Sequence, residues 1–110
     1  MGDAAHASTP WQGSGAGQAI VDAMVLGAVL GNIKSVHQLN TAFRAYDSVR
    51  RPRAGRIVAS SQETGRIMCG KGPNIGLDVE KIRAALGSKW DFIHNQDQKA
   101  QIAIALAALL

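Results

Sequence analysis

A chain of 110 residues has room for one domain with a modest core, and a hydrophobic content of 46% excludes a globally disordered chain. The formal net charge of +4 comes partly from Arg50, Arg51, Arg53 and Arg56; the cluster reads as a solvated helix face, and with no aromatic residues interleaved it argues against nucleic-acid binding. The single Cys69 excludes an internal disulfide framework, its spacing to His6, His37 and His94 excludes a zinc site, and the apolar runs 19–30 and 102–110 are too short to cross a bilayer.

Residues 1–17 are small, polar and glycine-rich, with Pro10 and Trp11 in their midst, and read as an irregular loop. Over residues 17–30, Ile20, Val21, Met24, Val25, Leu26 and Val29 cover every face of one helix, which Gly31 and Asn32 end. Such a helix needs burial on all sides, and left exposed it would drive self-association. Apolar residues at 36, 39, 43, 46 and 49 predict an amphipathic helix over 36–50. Pro52 suits a first helical turn and not an interior one, so a second amphipathic helix is expected over 52–68 after a bend or kink. Residues 69–76 are turn material, followed by a short helix that Asp78 can cap and Gly87 can stop, and a last helix is expected over 96–109. No segment alternates as a strand does. The fold expected is mostly α: a glycine-rich loop, then about five helices. It divides into a loop and apolar helix at 1–32, two amphipathic helices at 33–69, and a turn with C-terminal helices at 70–110.

Gly13, Gly15 and Gly17 stand at alternate positions directly before the apolar helix. Backbone without side chains can approach a ligand there, and the helix start offers free N–H groups and the positive end of its dipole. The same pattern also suits a plain tight turn. Two phosphate motifs are excluded, since no Val/Ile-rich strand precedes the glycines and no Lys-Ser/Thr follows them.

The longer string is more specific. Gly2-Asp3-Ala4-Ala5-His6, then Pro10, Gly13, Gly15, Gly17 and Asp22-Ala23, resembles the second flavin-binding motif of FAD-dependent aromatic-ring hydroxylases with the para-hydroxybenzoate hydroxylase fold. Tyr46-Asp47-x2-Arg50-Arg51-Pro52-Arg53-Ala54 is similar to the segment that follows it in the salicylate hydroxylase group. Trp11 departs from the histidine common at that place, which bears on the substrate and not on the flavin.

The resemblance implies that the chain is the helical C-terminal part of an α/β FAD-binding domain, a fragment of a cytoplasmic monooxygenase that hydroxylates a small salicylate-like aromatic substrate with NAD(P)H and dioxygen. It implies that Asp3 bonds a ribityl hydroxyl of FAD, that Pro10 lies near the middle flavin ring, and that the Ala16 and Gly17 N–H groups face the pyrimidine carbonyl. Gly2, Gly13 and Gly15 complete the cofactor-binding set. His6 and Asp22 are expected to be structural. No catalytic acid or base and no metal ligand is expected among these residues, nor a membrane or nucleic-acid partner. The reading from another class is a helical remnant or protein-interaction fragment without bound flavin.

Overall fold

The computed structural model describes residues 1–110, and all its regular elements are helical. α1 (Asp3–His6) and a 3-10 turn at Pro10–Gln12 lead into α2 (Gly15–Gly31). A second 3-10 turn at Val36–Gln38 opens α3 (Leu39–Met68), and α4 (Val79–Leu86), α5 (Asp91–His94) and α6 (Gln98–Leu109) follow. Residues 1–12 are therefore more ordered than expected, because side chains of the later helices hold their backbone in two short helical turns.

α2, α3 and α6 pack against one another around Val21, Val25, Val29, Ala42, Ala45 and Ala105. Alanines on α3 and α6 let the helix axes come close, and valines on α2 fill the space between them. Gln18, Val21, Asp22, Val25 and Val29 form the covered face of α2. Ile20 and Met24 remain exposed, at 62% and 45% of their surface, alongside Gly17, Gly27 and Gly31. Because 30 residues of helix run through α3, the molecule measures 57 × 24 × 19 Å and its core is thin.

α3 corrects one expectation. It continues through Pro52 as a single helix, where a break between two helices was expected. An interior proline forfeits one backbone hydrogen bond and crowds the preceding turn, at a cost of about 3 kcal/mol. Arg50 and Arg53, on either side of it, are both anchored to other helices, and Ala42, Ala45, Ala54 and Ile57 are buried on both sides of the proline. These contacts hold the two halves as one element, and Pro52 itself faces solvent.

The C-terminal third follows its local signals. Asp78 caps α4 by accepting the Lys81 N–H, Gly87 ends it, and Asp97 caps α6 by accepting the Ala100 N–H. No helix is long and apolar enough to cross a membrane.

The arginine cluster is the second correction. Arg51, loosely paired with Asp47, and Arg56 are exposed as expected, whereas Arg50 and Arg53 are drawn into the fold. Arg53 donates to the carbonyls of Phe92 (2.6 Å) and Ile93, capping the end of α5, and the Arg56 guanidinium lies 4.1 Å from the Phe92 ring centroid. Burial, with Arg56 and Arg50 nearby, lowers the Arg53 pKa from its ordinary value. Arg50 is buried, as described next.

Candidate functional site

The Asp22 carboxylate, with no exposed surface, holds the N-terminal segment to the helices. Its Oδ2 accepts the Gly2 N–H at 2.9 Å and meets His6 Nε2 at 2.5 Å, while Oδ1 accepts Arg50 Nε at 2.8 Å. Arg50 then donates from Nη1 to Gln101 Oε1 on α6 at 2.9 Å and from Nη2 to Gln18 Oε1 on α2 at 2.8 Å. A carboxylate in the apolar face of α2 would be very costly alone, and here three partners engage its two oxygens. Burial pushes the Asp22 carboxyl up, but hydrogen bonds from Arg50, the Gly2 backbone and His6 outweigh it and hold the group below 3.8. Burial and the neighbouring Asp22 charge also push the Tyr46 phenol up.

The sign of that shift sets an expected acid sensitivity. A carboxyl with a depressed folded pKa contributes stability above its unfolded value near 3.8, lost as pH falls through that value toward the folded one. Urea melts at pH 6, 4 and 3 should show stability dropping below pH 4, with a shallower drop in Asp22→Asn. Equal slopes in the two proteins would show that Asp22 does not carry the effect.

Gly2 takes φ 61° and ψ −150°, a conformation open essentially to glycine alone, and so turns its N–H onto Asp22 just before Asp3 emerges. Further along, Ser61 Oγ donates to the Thr9 carbonyl at 2.7 Å. The Trp90 indole donates to the Gln12 carbonyl, and the Gln12 amide donates to the Lys89 carbonyl. Trp11 rests against α3 at Gly65, where a Cβ would come within 2.3 Å of the indole nitrogen. The loop thus rests on α3 and on the segment before α5 at several independent points. Gly13, at φ 64°, ends the 3-10 turn and redirects the chain into α2.

The first turn of α2 is open. Ser14 makes no side-chain cap and spends its hydroxyl on the Gln12 carbonyl, so the first backbone bond belongs to Gln18 N–H. The N–H groups of Gly15, Ala16 and Gly17 have no acceptor, Ala16 and Gly17 are exposed, and no acidic residue competes for that end. A Cβ added at Gly13 or Gly17 would meet nothing within 4 Å, so the space before this helix start is free. Asp3 and Pro10 are exposed too, on the loop that leads there. The seven sequence-derived residues do not form one enclosed pocket. The largest cavity, about 810 Å³, lies between α1 and the middle of α3, where Asp3, His6, Tyr46, Arg50 and Gln62 line it, and it excludes Pro10 and residues 13–17.

The profile of the FAD binding domain family matches residues 1–61, more than half of the chain. This chain belongs to the FAD binding domain family. It is 38% identical over 110 residues to salicylate hydroxylase of Pseudomonas putida, covering 99% of this chain and 25% of that protein. To 6-methylsalicylate 1-monooxygenase of Aspergillus terreus it is 37% identical over 101 residues, 92% of this chain and 23% of the relative. A solved structure, a salicylate hydroxylase substrate complex, superposes on 96% of this FAD binding domain chain with a TM-score of 0.89 at 37% identity, and the match covers 26% of that protein. The chain therefore spans about a quarter of the length of these relatives, and the helical architecture described above is that of the matching region.

Proposed function

We propose that this chain supplies the ribityl and isoalloxazine half of the flavin site in an FAD-dependent monooxygenase acting on a small salicylate-like aromatic ring, with NAD(P)H as reductant. The observation that carries the proposal is the uncapped first turn of α2, whose Gly15, Ala16 and Gly17 N–H groups lack acceptors beside open space. Preorganised N–H donors at a helix start favour an electron-rich carbonyl, and most strongly one that gains negative charge on reduction. The donor set suits the flavin pyrimidine edge, since it needs no ionisable side chain. Asp3, carried by the anchored Gly2, accepts from a ribityl hydroxyl, and Pro10 presents a rigid apolar edge to the ring system. When bound, the flavin supplies the redox and oxygen chemistry; the chain's own residues bind and orient it. Salicylate-like substrates are favoured by the two relatives named for such compounds.

A graft tests this reading. Residues 1–110 would replace the matching quarter of the Pseudomonas putida enzyme. The expected product is a yellow protein that hydroxylates salicylate with NAD(P)H, and Asp3→Ala in the graft should lose flavin. A folded graft that binds no flavin, or binds it equally well with Asp3→Ala, would contradict it.

A further inference from the structure

The buried contacts behind the loop extend the site to residues that do not themselves face the flavin. We infer that Arg50 and Gln101 are positioning residues for the loop that carries Asp3, acting through Asp22, so that α6 belongs to the cofactor site without touching it. This rests on the flavin-site reading above for its functional meaning.

The argument follows the hydrogen bonds outward from Gly2. Its left-handed conformation points the N–H at Asp22 Oδ2, and that contact decides where Asp3 leaves the backbone. A carboxylate can rotate about its last bond, and the orientation seen here is fixed by Arg50 Nε on the other oxygen. Arg50 comes from α3, and its planar guanidinium is itself held at both Nη atoms by Gln101 and Gln18. A planar five-donor group held at three points transmits orientation in a way a flexible ammonium cannot. Gln101 is only 6% exposed, and nothing in the apolar sequence of α6 calls for an amide at that position except the Arg50 guanidinium. Thr9 and Gln12 fasten the distal half of the loop to other partners, which leaves the Asp3 end dependent on this network.

Removing Arg50 would disturb the whole core, so the discriminating variants are at Gln101. Gln101→Met keeps the volume and removes the acceptor from Arg50 Nη1; Gln101→Glu keeps an acceptor there. Amide hydrogen exchange would be followed residue by residue in the full 110-residue chain without flavin. In Gln101→Met, the amides of Ala5 and His6, which donate to the Gly2 carbonyl, and of Ala7, which donates to the Asp3 carbonyl, should exchange about tenfold faster, the equivalent of one charge-assisted hydrogen bond. Val25 and Val29 in the core of α2 should keep their rates, and Gln101→Glu should restore the α1 amides. Unchanged α1 amides, or α1 and core amides accelerating by the same factor, would overturn the inference, the second by showing that Gln101 serves global stability alone. No flavin is present, so this result is independent of the graft experiment.

Discussion

Arg50→Met should be the most damaging single substitution in the chain, lowering stability by about 3–5 kcal/mol, the usual cost of removing one partner from a buried ion pair. Arg50 keeps 2% of its surface and Asp22 none, so the carboxylate left behind cannot recover its lost partner from water. It would have to take a proton or lean on His6 and the Gly2 N–H, while the Gln18 and Gln101 side chains lose the group that organises them. In a domain of this size the melting temperature should fall on the order of 12 °C or more. The double variant Asp22→Leu with Arg50→Met should regain part of that loss, since a buried pair replaced whole by apolar groups costs far less than a broken one. Thermal melts by circular dichroism decide it: a fall of only one or two degrees in Arg50→Met would show that the pair is not the keystone described above.

The second large effect concerns the cofactor. Dialysed against buffer after saturation with FAD, the 110-residue chain by itself should keep no stoichiometric flavin. Well-made small-molecule sites enclose most of their ligand, and here Asp3, Pro10, Ala16 and Gly17 are all exposed and share no cavity. A few open hydrogen bonds and one apolar edge must offset the loss of translational and rotational freedom, which places the affinity on the order of millimolar. Residues 1–110 also contain no G-x-G-x-x-G loop to hold the ADP end. The visible spectrum after dialysis is the readout. A protein-bound flavin band at one equivalent, absent in Asp3→Ala, would show that the open half-site grips far more tightly than its geometry suggests.

Local signals were legible where one residue type has one physical use. Asp78, Gly87, Gly13 and the apolar run of α2 each mark a boundary that the structure keeps. Pro52 misled because propensity is a local quantity and the packing on both sides of it is not. The arginines misled for a related reason. Arg50 falls in phase with Ala54, Ile57, Ser61 and Thr64 on the buried face of α3, and Asp22 is the one charge in an otherwise apolar helix. Two unpaired charges in core phase should seek one another, a signal that was present and unread. Gln101, followed in α6 by alanine, isoleucine and leucine alone, carried the same kind of signal. Nothing local could show that Trp11 rests on Gly65, because that contact is set by how the loop crosses α3.

The central claim is that the Gly13–Gly17 turn and Asp3 face an isoalloxazine and its ribityl chain. The most direct measurement is an amide shift map of the 110-residue chain titrated into the millimolar range with FMN, beside ADP as a phosphate-bearing control. The account predicts that FMN moves the amides of Asp3, Gly13, Gly15, Ala16 and Gly17 in a saturable way, and that ADP leaves most of them in place. Shifts gathered instead around Tyr46, Arg50 and Gln62 in the cavity beside α1, or an ADP map that matches that of FMN, would contradict it.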